Sequence, residues 1–501
     1  MRKINMRKPN IILILTDDQG YWSLGCTGNH EIRTPNIDEL AKTGTRFDNF
    51  FCVSPVCSPA RASLLTGRIP SQHGVHDWLR NGLGERHGDA PVEYLEGITG
   101  YTELLEKDGY ICGISGKWHL GATSHPQKGY SHWFVTLGGS GTYRDANVYS
   151  GNTLIKTKGY LTDVITDDAL SFIDACCDRK DKAPFYLNLT YTAPHSPLVD
   201  QHKPEYVDYY NHCTFSDIPQ EPRNSWSIQH PIDIQYSETF CSPERKYLTV
   251  RDLLAGYYAA VQGVDDGVGR VIQKLEERGI RDNTLIVYMG DNGFNCGHHG
   301  IWGKGNSTFP LNLYDTSVKV PCIFSLPGYI QEGKVSDSLL SGYDFMPTLL
   351  EFVGIENPEK KMLPGKSFLE SMKNKSEKEY HENITVFDEY GPARMIRTKE
   401  WKYIHRYPYG PHELYDLVHD PGERFNLITE NRYFEYGPKE IEQKCAEMKR
   451  TMDSWFRQYV DPNKDGSLEP VCGRGQLCKV GTEAEGKLTF HPTVAVEYTR
   501  Q

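Results

Sequence analysis

Cys57-Ser58-Pro59-Ala60-Arg61 puts a thiol, a proline suited to the first helical position and a guanidinium at the start of a short helical pattern, which Ala62, Leu64 and Leu65 continue and Gly67 can end. A cysteine there meets unpaired N–H groups and a helix dipole that favour an anion. Arg61, one turn later on the same face, offers five donors in a planar fork. Together they make a nucleophile position beside an oxyanion site; the plainer reading is a buried structural cysteine. Asp17-Asp18 and Asp291-Asn292 each put oxygen donors at the end of an apolar run. Adjacent carboxylates repel, and a hard cation such as Ca²⁺ or Mg²⁺ would compensate them; a solvated turn is the plainer alternative. In an extended Gly116-Lys117-Trp118-His119 segment, Lys117 and His119 point to one side and can reach a common anion. His195 sits between Pro194 and Pro197, and Lys304 between Gly303 and Gly305.

These groups need elements to deliver them. Asn10 to Leu15 is a continuous apolar run, predicted as a central parallel strand buried on both faces, and it runs straight into Asp17. Tyr110 to Ser115, Phe185 to Thr190 and Thr284 to Met289 predict further strands, leading to Lys117, His195 and Asp291. Open α/β sheets place ligands at such strand ends. Helices are predicted from Thr34 to about Gly44, from Tyr101 to Lys107 and from Asp163 to Asp174. Leu253, Tyr257, Val261, Val264, Val268, Ile272 and Leu275 recur at helical spacing and predict one long amphipathic helix ending at Gly279. Val320 to Leu326 reads as another strand and Asp344 to Val353 as another helix, while Arg394 to Thr398 and Trp401 to His405 alternate as antiparallel strands. The expected fold is therefore α/β: a large, mostly parallel mixed sheet flanked by helices, with a smaller C-terminal α+β subdomain. The charged run from Lys373 to Glu379 suggests a boundary, giving a catalytic domain over 1–375 and a subdomain over 376–501. Residues 202–249 read as inserted loops, and no element is assigned beyond about 461.

Composition narrows the function classes. The 501 residues are 38% hydrophobic and 24% charged, enough apolar material for a large core, and the net charge of −11 argues against nucleic acid or an anionic membrane as partner. An anionic substrate then requires a locally basic pocket, with Arg61 as its first member. The apolar run at the N-terminus is too short for a signal-peptide core and no run is long enough to span a membrane, so a cytoplasmic location is expected. Thirteen scattered cysteines agree with a reducing compartment.

The run Cys57-x-Pro59-x-Arg61, continued by Leu65-Thr66-Gly67-Arg68, resembles the signature of the formylglycine-dependent (type I) sulfatases of the alkaline phosphatase superfamily. Ser71-Gln72-His73-Gly74, Gly116 to Gly121, Glu413 to Leu417 and Asp420 to Leu427 also resemble that family, in its order. The resemblance implies that a maturation enzyme oxidises Cys57 to formylglycine, whose hydrate attacks sulfur. It implies that Asp17, Asp18, Asp291 and Asn292, with matured Cys57, hold Ca²⁺ or Mg²⁺. Arg61 would orient the hydrate, Lys117 and Lys304 would neutralise sulfate oxygens, His195 would protonate the leaving alcohol, and His119 would take the proton that expels sulfate. The implied partner is a sulfated small molecule or glycan. Trp78, Arg80, His299, Trp302, Asn306 and Arg394 are pocket candidates by type and proximity to motifs. Two alternatives remain: a phosphonate or phosphodiester hydrolase of the same superfamily, and a non-catalytic sulfoglycan-binding paralogue.

Overall fold

The structure, a computed structural model, describes residues 8–80, 92–228, 248–373, 378–388, 393–430, 436–481 and 489–490. Ten strands form one sheet in the order Lys334–Ser336, Thr45–Phe47, Cys322–Ser325, Thr284–Gly290, Asn10–Thr16, Phe185–Thr190, Ile111–Gly116, Tyr130–Thr136, Asn147–Ser150 and Thr153–Lys156. The five strands from Thr284–Gly290 to Tyr130–Thr136 run parallel. Antiparallel partners flank them on either side, giving the mixed sheet expected.

The apolar run at Asn10 explains the layering. Successive side chains of a strand face opposite ways, so Ile11, Leu13 and Leu15 enter one core and Ile12 and Ile14 another. On the Ile12 side lie the helices Leu161–Asp178 and Val250–Glu277. The 28-residue helix is started by a capping box: Thr249 Oγ1 accepts from Asp252 N at 3.2 Å while Asp252 Oδ2 accepts from Thr249 N at 2.8 Å. Cys57–Thr66, Tyr101–Lys107 and Phe345–Val353 pack on the Ile11 side.

A second, antiparallel sheet joins Ile384–Asp388, Ala393–Arg397, Trp401–Arg406 and Glu413–Asp416. Its faces divide by the same alternation. Met395, Ile404 and Tyr415 join the main core, while Ile396, Tyr403 and Leu414 pack on Met448, Met452 and Phe456 of the helix Pro438–Tyr459. The sequence reading did not anticipate that helix, nor the strand Tyr130–Thr136 and the hairpin beyond it. Of the suggested boundary, residues 374–377 lie outside the described residues. The segment read as loops carries the short helix Pro204–Tyr210, and its residues 229–247 also lie outside them. The unassigned tail returns to the catalytic side: Asp461 N donates to Ser71 O at 2.9 Å, and Gln476 accepts from His76 N at 2.8 Å and donates to Gly74 O at 2.9 Å.

Candidate active site

Parallel register brings the strand ends together. Thr16 pairs with Gly290, Leu15 with Thr190, and Gly116 with Thr190, so Asp17, Lys117, Asp291 and the loop to His195 leave the sheet at one level. Gly116, at φ 115°, lies so close to Thr190 O that no Cβ would fit. Cys57 reaches the same place from the first turn of Cys57–Thr66, all ten residues of which are buried; the helix begins at Cys57, so Pro59 is its third residue rather than its first. His119 gets there differently from the expected alternation. Its φ is 52°, so the chain turns after Lys117 and does not continue extended. The turn sends the two side chains to different partners within one site.

Lys117 Nζ pairs with Asp17 Oδ2. Lys304 Nζ lies 2.5 Å from Asp18 Oδ1 and 3.9 Å from Cys57 Sγ. Arg61 donates through Nε to Asp291 Oδ2 at 2.8 Å and through Nη1 to Thr190 Oγ1 at 2.6 Å and Lys117 O at 3.1 Å. His119 Nδ1 is 3.2 Å from Cys57 Sγ, and its Nε2 faces Leu79 O at 3.2 Å, which fixes the ring. His195 Nε2 stands 3.6 Å from Asp18 Oδ2, with Nδ1 2.6 Å from Ser196 O. Asn292 Nδ2 donates to Asp18 Oδ1 at 2.8 Å, and Asp291 Oδ1 accepts from the Asn292 and Asp18 amides.

Burial sets the protonation states. It would push the Asp17 carboxyl up, but Lys117, His195, Lys304 and Arg61 together hold it far below the usual carboxylate range. Burial and the Asp17 charge push Asp291 well up, against the pull of Arg61. Burial opposes the charge on Lys304, yet Asp18 and the anionic groups around it keep that ammonium firmly protonated. Burial, then Lys117, holds His119 well below its ordinary value, so it is a neutral base beside Cys57.

The oxygens fit a hard cation. Asp17 Oδ1 and Asn292 Oδ1 are buried with no hydrogen-bond partner among the described residues, a costly state that a bound cation relieves. Asp17, Asp18 and His195 offer ligand atoms within 4.8 Å of one another. A cation would also relieve the Asp17–Asp291 repulsion. The carboxylate and amide oxygens of Asp17, Asp18, Asp291 and Asn292 outnumber the single His195 nitrogen, and a mainly oxygen set suits Ca²⁺ or Mg²⁺ better than zinc.

The pocket candidates fare differently. Trp302 is 1% exposed and belongs to the core on the long-helix side, so it cannot line a pocket. Arg394 is buried in the C-terminal subdomain, paired with Asp465 at 2.7 Å and lying 3.8 Å over the Phe456 ring. His299 stacks on Tyr314 at 3.7 Å, and burial lowers its pKa to about 3. Trp78 and Arg80 lie together, ring and guanidinium 5.0 Å apart, with both tied to the returning tail: Trp78 Nε1 donates to Gly473 O and Arg80 Nη1 to Arg474 O. Asn306 is half-buried in the turn after Lys304. Thr190 and the Leu79 carbonyl are site groups the sequence reading missed. Thr190 could have been found, because it ends a predicted strand beside Lys117; the carbonyl left no signal.

The sequence model of the sulfatase family matches residues 9–355, and that of the N-sulphoglucosamine sulphohydrolase C-terminal region matches residues 297–451. The N-acetylglucosamine-6-O-sulfatase of Bacteroides thetaiotaomicron is 28% identical, over 93% of this chain and 89% of its own. The N-acetylgalactosamine-6-sulfatase of Mus musculus is 29% identical, over 73% of this chain and 66% of its own. A structure solved with its substrate D-glucosamine-2-N,6-O-disulfate superposes with a TM-score of 0.75 at 27% identity, over 92% of this chain and 100% of that one.

Proposed function

The chain belongs to the sulfatase family and is a sulfuric ester hydrolase, and we propose that it removes sulfate from a small amino sugar, with a 6-O-sulfated hexosamine as first choice. The observation that carries this reading is the cluster around Cys57. Neutral His119 lies 3.2 Å from the thiol and protonated Lys304 3.9 Å from it, and oxygens at the strand ends have no partner among the described residues. The sugar itself is taken from relatives that cover most of the chain and are named for 6-sulfated hexosamines.

The residues divide the work as follows. Asp17, Asp18, Asp291 and Asn292 would hold the divalent cation, Ca²⁺ by preference, which supplies Lewis-acid polarisation when bound. A bound cation would favour the ionised form of Asp291; Asp17, Asp18 and Asp291 would then balance Arg61, Lys117 and Lys304, and the cation would leave the site positive and complementary to an anionic ester. We propose that a separate maturation enzyme oxidises Cys57 to formylglycine, which gives the position a geminal diol. Arg61, locked by Asp291 and Thr190, orients that position. Lys117 and Lys304 neutralise sulfate oxygens as charge shifts. His119 Nδ1, 3.2 Å from the Cys57 side chain, takes the proton whose loss releases sulfate. His195, at the edge of the carboxylates and 16% exposed, donates a proton to the leaving oxygen. Free thiols throughout the described residues fit a reducing, cytoplasmic setting.

The test is kcat/KM under one set of conditions for glucosamine 6-sulfate, galactosamine 6-sulfate, an intact sulfated polymer, an aryl sulfate and a phosphonate monoester. The reading expects the 6-sulfated monosaccharides to lead. Preference for the polymer would overturn the small-sugar assignment, and preference for the phosphonate would overturn the sulfatase reading itself.

A further inference from the structure

Asn188 is out of character for its position. It sits in the middle of Phe185–Thr190, in register with Leu13 on one side and Ile114 on the other, both buried and apolar. Asn188 itself is half-buried, but a side-chain atom shut off from water still needs a partner, because an unpaired buried polar group is costly. Its Nδ2 donates to Tyr130 Oη at 3.3 Å, but its Oδ1 is buried with no partner among the described residues. Two other buried atoms are in the same state, Arg61 Nη2 and Trp118 Nε1. All three residues line a single pocket of about 20 Å³, with Leu13, Leu64 and Tyr101 among its other walls. That volume suits a single water molecule, which needs ~10–15 Å³ and two to four polar partners.

The chemistry of the three atoms selects the occupant. Two N–H donors repel a cation, and an amide oxygen repels an anion. A water molecule accepts from both donors and gives one hydrogen to the amide oxygen, so all three unmet valences close at once. We propose that Arg61, Trp118 and Asn188 hold one buried water beneath the active site, and that Asn188 is a positioning residue acting on Arg61 through it. Nε and Nη1 of Arg61 are already fixed by Asp291, Thr190 and Lys117 O, and the water fixes Nη2. The whole guanidinium plane is then fixed. The water follows from the cavity alone; its kinetic consequence rests on the role proposed above for Arg61.

A high-resolution crystal structure of the wild-type protein, grown with and without bromide, tests the site. The expected result is one water peak in contact with Arg61 Nη2, Trp118 Nε1 and Asn188 Oδ1, with no anomalous bromide signal. Bromide at that point, which would mean the amide is turned to present a third donor, or a cavity without density, overturns the site. Asn188→Leu and Asn188→Asp then test positioning, with Trp118→Phe as a second probe from the opposite wall should Asn188→Leu fail to fold. Asn188→Leu, and Trp118→Phe likewise, should lose the water and lower kcat about tenfold, the scale of one hydrogen bond to a charged group, with KM unchanged. Asn188→Asp keeps the acceptor and should restore both water and kcat. A lost water with wild-type kcat per active site in either variant would overturn positioning while leaving the sulfatase reading intact.

Discussion

Two buried charge clusters in this molecule use the same residue types and end differently. Where the small helix Asp315–Val318 meets the C-terminal sheet, Asp315 takes Arg397 at 3.0 Å and Lys402 at 2.9 Å. Glu423 takes Lys402 at 2.5 Å and the Asp315 amide at 2.6 Å, and every polar side-chain atom of the four has a partner. At the strand ends, Asp17, Asp18 and Asp291 meet Arg61, Lys117 and Lys304 in equal number, yet Asp17 Oδ1, Asn292 Oδ1 and Arg61 Nη2 are left over. The closed cluster joins elements; the open one is shaped for something that is not protein. Unmet valence, and not charge or burial, separates the two.

The largest effect is expected at Cys57. Cys57→Ala should reduce sulfate release to background while leaving the melting temperature near wild type, and mass analysis of the wild-type peptide after co-expression with a maturation enzyme should show the thiol converted to an aldehyde. An active Cys57→Ala variant would remove the open cluster's claim to be catalytic. Next, one lysine should be taken from each cluster. Lys304→Met should lower kcat roughly 100- to 1,000-fold, as expected for losing a preorganised positive charge at the reacting group. Lys402→Met leaves buried carboxylates uncompensated and should cost about 3–5 kcal/mol in denaturant unfolding, with kcat of the folded fraction unchanged. The opposite pairing of effects would mean the roles are exchanged.

Smaller effects sharpen the picture of what burial does outside both clusters. Burial holds His202 and His298 at about 3, below the ordinary value near 6.5. A depressed histidine contributes stability that is complete above 6.5 and is lost as pH falls towards 3. Between pH 6.5 and 5 each should cost about 2 kcal/mol. Unfolding curves at pH 7.5, 6 and 5 should show the slope, and His202→Phe should flatten it; an unchanged slope would mean His202 is already protonated in the fold. Smallest is Arg394→Met, expected to change kcat/KM less than about twofold, since Arg394 is held by Asp465 and Phe456. A large rise in KM would return it to the pocket.

What could be read from sequence follows from how local each signal is. Asn10 to Thr16, Phe185 to Thr190 and the 28-residue helix announce themselves through apolar runs and periodicity, and Gly67 ends the Cys57 helix at φ 66° as expected. Pro438–Tyr459 was missed because its buried stripe is only Met448, Met452 and Phe456 in a strongly charged stretch. The convergence of Asp17, Lys117 and Asp291 was legible because parallel strands deliver them at one level. The pocket was not: Trp302 and Arg394 have the right types but are turned inward, and residue type says nothing about direction. The tail around Gln476 reaches His76 and Gly74 across some 400 positions, a contact no local pattern encodes.

Whether a hard divalent cation completes the open cluster is decided by exhaustive chelation followed by metal titration, monitoring both binding and turnover of a carbohydrate sulfate. Chelation should abolish turnover, and Ca²⁺ or Mg²⁺ should bind once per chain and restore it. Undiminished turnover after complete metal removal, or restoration by Zn²⁺ alone, would contradict it.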